Sequence, residues 1–173
     1  MDAAPEGTRI LGSLRSADGA GVVRMDDRID ASVDELWSAL TERPRLASWY
    51  GDLDGDLRLG GEYQAHLHAS GWEGTGRIDA CEPGRRLLIT IRQKDSSDSE
   101  GTLEVILTAD GGQTAVVWEE RGMPVDLLAA YGAGIQVHVE DLAAYLAGRG
   151  RCDSRTRWEE LFPAYQALAA AAS

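Results

Sequence analysis

Residues 62–69, EYQAHLHA, alternate strictly between apolar and polar side chains. Successive side chains of a β-strand point to opposite faces, so this pattern predicts a strand with one apolar and one polar face. The side chains on the apolar face are Tyr63, Ala65, Leu67 and Ala69. A sheet built from such strands must bury its apolar face against another element. This requirement constrains the fold more than any other feature of the chain.

Three further regions have the pattern of strands. Residues 21–30 alternate between apolar and charged side chains, and residues 75–93 form two apolar runs around a Pro-Gly turn. Residues 101–110 and 114–122 form another pair, which two glycines separate. Residues 94–101 contain hardly any apolar side chain and should form a mobile loop. The chain therefore predicts an antiparallel sheet of about six or seven strands.

Two short helices are predicted between the first strand and the rest of the sheet. Residues 32–40 begin with a capping box, in which Ser32 caps the helix and Glu35 follows three residues later. Residues 43–51 form the second helix, because proline suits the first turn of a helix and glycine its end. Trp37 falls on the apolar stripe of the first helix, and we expect it in the core.

A long helix over residues 125–146 is predicted to cover the sheet. Its apolar stripe comprises Ile135, Val139, Leu142 and Leu146. Gly132 and Gly134 stand near its start, although glycine costs about 1 kcal/mol relative to alanine within a helix. Two interpretations are open. The glycines soften the start of the helix, or they separate two helices.

The two ends of the chain lie outside this arrangement. Residues 1–20 are predicted to be a flexible arm, with one early strand as the alternative, and residues 21–148 to be the domain. Residues 149–173 should form a helical extension with a kink or break at Pro163, since proline clashes with the carbonyl four residues earlier. The element order predicts an α+β fold, with a curved sheet packed on the long helix.

Length and charge narrow the class of function. A chain of 173 residues suits one domain with a sizeable core. Its net charge of −12, with no cluster of basic residues, argues against partners such as nucleic acid and anionic membranes. No apolar run is long enough to span a membrane, and the first residues do not resemble a signal peptide, which predicts a cytoplasmic protein. Cys81 and Cys152 lack metal-site spacing and are expected to be free thiols, although a disulfide between them remains open.

Known catalytic and cofactor motifs are incomplete. Residues 52–57, DLDGDL, begin like a calcium loop but lack its glycine and its final glutamate. The glycine-rich stretches lack the last glycine of a dinucleotide loop, and there is no serine nucleophile elbow. His66 and His68 share a strand face, but their polar neighbours indicate a solvated surface rather than a metal site. We therefore expect neither a cofactor nor a metal.

Aromatic and acidic residues are the remaining candidates for a site. Trp49, Trp72 and Trp118 lie on strands or at the ends of elements, where their rings could line a cavity or simply pack. Glu119 and Glu120 are adjacent on a strand and must point to opposite faces. One of them should face inward, but the sequence does not say which. A buried carboxylate would be paired with an arginine or functional.

Several motifs, taken in order, resemble the START-like (SRPBCC) superfamily with its helix-grip fold. They are ASVDELWSALTERPRLASWY, DLRLGGEY, GTGRIDACEPGRRLLITI and GIQVHVEDLAAYL. The branch that they resemble is that of the bacterial relatives of the activator of the heat-shock-protein-90 ATPase. The resemblance covers roughly residues 20–148. It implies an apolar cavity between the sheet and the long helix, and it implies binding rather than a particular reaction.

The expected ligand site lies in that cavity. Its predicted lining residues are Trp49, Tyr63, Leu67, Trp72, Trp118, Tyr131, Ile135, His138, Val139 and Leu142. Gly132 and Gly134 are added as hinge glycines or hydrogen donors, because the resemblance implies that a glycine facing the sheet leaves room for a ligand. We expect no catalytic residue in the strict sense, although a satisfied, partly buried histidine and a ligand-polarising histidine remain alternatives for His138.

Four functions follow, with the first favoured. The chain would hold an apolar, polycyclic or polyketide small molecule. Alternatively, as in START-like self-resistance proteins of antibiotic producers, it would quench an enediyne diradical by hydrogen donation from a backbone glycine. A third alternative is an enzyme similar to polyketide cyclases, with Tyr63, Tyr131 and His138 as its only candidate residues. The fourth is a protein-binding module similar to the chaperone ATPase activator.

Overall fold

The computed structural model describes residues 9–95 and 100–172. Its centre is one eight-stranded antiparallel sheet with the order β1-β2-β8-β7-β6-β5-β4-β3. The strands are β1 (Gly12–Ala17), β2 (Ala20–Ile29), β3 (Gly51–Gly55), β4 (Glu62–Leu67), β5 (Glu73–Glu82), β6 (Arg86–Gln93), β7 (Glu100–Asp110) and β8 (Gln113–Met123). The predicted α+β fold, with a curved sheet packed on a long helix, is confirmed.

The alternation of β4 divides its side chains as predicted. Tyr63, Ala65 and Leu67 are buried, whereas the polar residues between them are exposed. The described residues form eight strands, rather than six or seven, because two short edge strands gave little sequence signal. One is β1, and the other is β3, which pairs with β4 over residues 51–55. The calcium-like stretch therefore begins in an edge strand of the sheet.

The described helices are α1 (Val33–Thr41), α2 (Arg43–Trp49), α3 (Leu128–Leu146) and α4 (Ser154–Ala172), and a 3₁₀ turn at Val125–Leu127 precedes α3. The predicted cap of α1 is present, since the Oγ of Ser32 accepts a hydrogen bond from the Glu35 amide at 3.2 Å. Gly132 and Gly134 do not separate two helices, because α3 runs through both of them. None of the described helices is long and apolar enough to cross a membrane.

The described part of the predicted N-terminal arm belongs to the sheet. β1 pairs with β2 along its whole length, from Gly12 opposite Met25 to Ala17 opposite Ala20. Gln136 of α3 fixes the residues before β1, because its side chain accepts a hydrogen bond from the Leu11 amide and donates one to the Arg9 carbonyl. Residues 1–8 lie outside the described part of the chain, as do residues 96–99 of the predicted loop at 94–101.

The C-terminal helix α4 packs on α3 and β1. Leu161 and Tyr165 are completely buried there, and the Tyr165 hydroxyl accepts a hydrogen bond from the Gly12 amide at 3.1 Å. The predicted break at Pro163 does not occur, because α4 continues through it. Pro163 is exposed between these two buried anchors, which hold the helix on both sides of the missing hydrogen bond.

Candidate functional site

A cavity of about 870 Å³ lies between the apolar face of the sheet and α3. Ligand sites for small molecules typically enclose about 300–1,000 Å³. Strands β4 to β8 form one wall, α3 forms the opposite wall, and the start of α4 contributes Ser154, Arg155 and Trp158. The apolar lining residues include Ala65, Leu67, Ile91, Leu103, Met123 and Ile135.

The hollow follows from the way α3 meets the sheet. The helix packs mainly against β1, β2 and β8, which lie together at one side of the strand order. The strands β4 to β7 are therefore left facing the helix across the cavity. Small residues such as Ala65 and Gly134 line the space instead of filling it. The interior of a protein is otherwise close-packed, so a gap of this size is a distinct feature of the fold.

The two glycines of α3 have different surroundings. A Cβ on Gly134 would have its nearest neighbour, Cδ1 of Trp158, 4.0 Å away, and Gly134 lines the cavity. A Cβ on Gly132 would lie 2.6 Å from Cδ1 of Tyr165, which real Cβ atoms do not do. Gly132 thus permits the close packing of α4, whereas Gly134 leaves space in the cavity.

The structure brings most of the predicted site residues together. Those that line the cavity are Tyr63, Leu67, Trp72, Tyr131, Gly134, Ile135 and His138. They include the three residues that the cyclase alternative requires, which are Tyr63, Tyr131 and His138.

Five predicted site residues do not line this cavity, and one of them, Gly132, packs against α4. Val139 and Leu142 are fully buried further along α3. Trp49 is also buried, and its indole Nε1 donates a hydrogen bond to the Ala39 carbonyl at 2.9 Å. Trp118 meets Trp49 edge to face at 6.3 Å between ring centroids. Val139, Leu142, Trp49 and Trp118 thus belong to the packed part of the core. They contact other buried side chains there and do not face the cavity.

Of the two adjacent glutamates, Glu120 is the one that lines the cavity. The indole Nε1 of Trp118 donates a hydrogen bond to its Oε2 at 2.9 Å. Burial raises the pKa of Glu120 to about 7, because the charged form loses its hydration. Glu119 points to the other face, where Arg121 contacts it at 2.5 Å. Among the described residues, Glu120 forms no ion pair with an arginine or lysine.

His138 lies on the helix side of the same cavity and is only 5% exposed. Burial lowers its pKa to about 4, with a smaller contribution from the charge of Arg151, so the ring is neutral at pH 7. Within the described chain, Nδ1 of His138 has no hydrogen-bond partner. The predicted satisfied histidine is therefore not what the structure has, since one buried ring nitrogen lacks a hydrogen-bond partner among the described residues.

Tyr50 is a cavity residue that the sequence analysis missed. It follows α2, and its ring lies 5.1 Å from the His138 ring and 5.9 Å from the Trp118 ring. Burial raises the pKa values of Tyr50, Tyr63 and Tyr131, so all three hydroxyls stay protonated at neutral pH. No periodicity marks Tyr50, because it stands at the junction between a helix and a strand.

The two histidines considered for a metal lie elsewhere. His66 is exposed on β4, and the ring nitrogen Nε2 of His68 is hydrogen-bonded to the Ala47 carbonyl at 2.8 Å. Cys81 and Cys152 are free thiols. The cavity therefore combines apolar walls with the carboxyl group of Glu120, one neutral imidazole, three tyrosines and further charged side chains such as Glu73 and Arg155. Apolar walls with a few polar groups are typical of a site that orients a small molecule.

Comparisons with known proteins agree with this architecture. The family model described as Activator of Hsp90 ATPase homolog 1-like protein matches residues 30–147. The crystal structure of CalU16 from Micromonospora echinospora has 27% identity and a TM-score of 0.74, and the match covers 92% of this chain and 96% of that one. No curated protein matches the sequence.

Two further structures are similar. DynU16, described as a protein in the dynemicin biosynthetic locus, has 28% identity and a TM-score of 0.70 over 79% of this chain. That match spans 51% of the DynU16 chain. The protein CV1439 from Chromobacterium violaceum has 22% identity and a TM-score of 0.63, with 72% of this chain and 96% of that one covered. At that identity, the likeness shows the fold alone.

Proposed function

The chain belongs to the family of Activator of Hsp90 ATPase homolog 1-like proteins, within the START-like superfamily, and we propose that it binds an apolar, polycyclic small molecule. The cavity of about 870 Å³ between the sheet and α3 is the observation that carries this proposal. Aliphatic and aromatic side chains form most of its wall, and a few polar groups converge within it. Flat aromatic ligands match such a site, because tyrosine and tryptophan rings offer extended apolar surfaces.

Direct titration tests this proposal. Aromatic polyketides and fatty acids are added to the protein, and the fluorescence of its tryptophan and tyrosine residues is followed. Trp72 and Trp158 line the cavity, so a bound ligand should quench or shift the emission saturably. Ligands with fused rings should bind more tightly than fatty acids of similar size.

A pair of variants locates the binding site. Gly134→Leu places a side chain in the cavity and should weaken binding at least tenfold. Ala167→Leu adds a comparable side chain at an exposed position of α4 and should leave binding unchanged. The proposal fails if no polycyclic compound binds saturably, or if Gly134→Leu binds as tightly as the unaltered protein.

A second candidate function is self-sacrifice against an enediyne antibiotic. Two observations favour it: the open space beside Gly134, and the similarity to DynU16 from the locus of dynemicin, an enediyne. A diradical held in the cavity would take one hydrogen atom from Cα of Gly134, and its second radical centre would take a hydrogen atom from the thiol that activates the enediyne. The Cα–H bond breaks homolytically, a C–H bond forms on the ligand, and the unpaired electron stays on Cα between two amides. Dioxygen then adds to this radical, the resulting peroxyl radical takes a hydrogen atom from the same thiol, and breakdown of the Cα hydroperoxide cleaves the chain there.

Mass spectrometry of the protein after treatment with an activated enediyne tests this candidate. Fragments should end at Gly134 and not at Gly132, whose Cα lies against Tyr165. Gly132 is thus an internal control on the same helix. Intact protein, together with DNA that is left unprotected, would rule this function out.

A further inference from the structure

Glu120 is a carboxylate without a basic partner among the described residues. The other charged groups that line the cavity include Lys94, which pairs with Glu73 at 3.2 Å, and Arg155, which pairs with Glu159 at 3.3 Å. Arg121 contacts Glu104 and Glu119. These three basic side chains therefore pair with carboxylates other than Glu120. A single hydrogen bond from Trp118 accounts for only part of the hydrogen-bonding capacity of Glu120.

Aromatic rings line the same cavity as this carboxylate. They belong to Tyr50, Tyr63, Tyr131 and Trp72, and the charge of Glu120 contributes to the raised pKa values of the three tyrosines. The electron-rich faces of such rings attract cations, and an aromatic enclosure with a carboxylate is the usual way in which proteins hold an organic ammonium group. A carboxylate ligand would instead be repelled by the negative charge of Glu120.

His138 lies on the helix side of the same cavity and is almost completely buried. Its ring lies 5.1 Å from the Tyr50 ring, and the Tyr50 ring lies 5.9 Å from that of Trp118, whose indole bonds to Glu120. Burial lowers the pKa of His138 to about 4, so its ring is neutral at pH 7 and adds no positive charge that would repel an ammonium group.

We propose that Glu120, with the tyrosine rings around it, binds the ammonium group of a polycyclic amine. This inference rests on the proposed function and adds the charge of the ligand to it. The net charge of −12 acts in the same direction, because a negative protein attracts cations and repels anions. Glu120 would form a charge-assisted hydrogen bond with the amine, and the fused rings would fill the apolar part of the cavity.

A matched pair of probes tests this inference. 1-Pyrenemethylamine and 1-pyrenemethanol share one fluorescent ring system and differ in an ammonium or a hydroxyl group. At pH 8 the amine is protonated and Glu120 is mostly ionised. We expect the unaltered protein to bind the amine on the order of tenfold more tightly than the alcohol.

Two isosteric variants identify the residue responsible. Glu120→Gln should lower the affinity for the amine about tenfold and change that for the alcohol by less than about twofold. Glu119→Gln, which changes the neighbouring carboxylate on the opposite face, should alter neither affinity. NMR titration of the unaltered protein provides a second measurement, in which the amine lowers the pKa of Glu120 and the alcohol does not.

The outcomes separate this inference from the proposed function. If both probes bind with equal affinity to the unaltered protein, the ammonium site is wrong and the cavity remains a binding site. The same holds if Glu120→Gln keeps the preference for the amine. If neither probe binds saturably, both proposals fail.

Discussion

Alanine at the two glycines of α3 should change stability differently, although the positions are two residues apart. Gly134→Ala adds a methyl group where the nearest atom is 4.0 Å away, so it meets no obstacle. Alanine is favoured over glycine within a helix by about 1 kcal/mol. We therefore expect Gly134→Ala to raise the free energy of unfolding by about 1 kcal/mol, which corresponds to about 2–4 °C in Tm for a protein of this size.

Gly132→Ala has the same gain in helix propensity but also a steric cost. Its methyl group would lie 2.6 Å from Cδ1 and 3.0 Å from Cε1 of Tyr165. Tyr165 is fully buried, and its hydroxyl is held by Gly12 and Gln136, so the ring cannot move without loss of these contacts. Overpacking of this kind costs about 1–3 kcal/mol. The net change is a loss of up to about 2 kcal/mol.

Urea unfolding, followed by tryptophan fluorescence, measures both variants under the same conditions. The gain in helix propensity cancels in the comparison, so the difference between the two free energies of unfolding isolates the steric cost at Gly132. Gly134→Ala should be more stable than Gly132→Ala by about 1–3 kcal/mol. Equal stabilities, or a destabilised Gly134→Ala variant, would refute the claim that only Gly134 faces empty space.

Three other substitutions have predictable effects, each measured by urea unfolding. The pKa of Glu120 is raised from 4.5 to about 7, so the free energy of unfolding should fall by up to about 3 kcal/mol as pH rises through that range. Glu120→Gln should remove this fall. The pKa of His138 is lowered from 6.5 to about 4, so its contribution to the free energy of unfolding is complete above pH 6.5 and is lost as pH falls toward 4. His138→Gln should remove that loss. The opposite effects of the two groups offset each other between about pH 4.5 and 6.5. In that range the free energy of unfolding should fall with decreasing pH in Glu120→Gln and with increasing pH in His138→Gln. If it changes with pH in the same direction in both variants, this account is contradicted. Ser32→Ala removes the cap of α1 and should cost about 1 kcal/mol, whereas no loss would show that the Glu35 amide finds another acceptor.

The alternation of β4 and the stripe of α3 predicted the layers of the fold because both patterns come from burial on one face. The resemblance to START-like proteins added the helix-grip arrangement, which periodicity alone does not specify. The edge strand β3 escaped prediction because its residues read as a loop with acidic side chains. Edge strands bury little surface and therefore carry a weak apolar pattern.

The sequence did not decide which of the two adjacent glutamates, Glu119 or Glu120, faces the cavity. Val116 and Trp118 share a face with Glu120, since side chains two apart on a strand point the same way. Ala115 and Val117 are also apolar, however, so neither face of β8 stands out in the sequence. Only the pairing of β8 with β2 and β7 decides which face is turned toward α3.

The roles of the two glycines and of Trp118 depend on contacts between distant segments. Tyr165, which packs against Gly132, belongs to α4, and α4 begins more than twenty residues after Gly132. No local sequence pattern predicts that contact. Trp118 was expected to line the cavity, but Trp49 packs against it and closes that end of the core. Packing between elements decides which residues of one apolar face meet a cavity and which meet each other.

An NMR titration of ¹⁵N-labelled protein with 1-pyrenemethanol tests most directly whether the cavity between the sheet and α3 holds a ligand. The amide resonances of Gly134, Ile135 and Leu103, which line the cavity, should shift saturably, and that of Ala167 on the exposed face of α4 should not move. Shifts confined to the outer surface, or the absence of any saturable shift, would contradict the account.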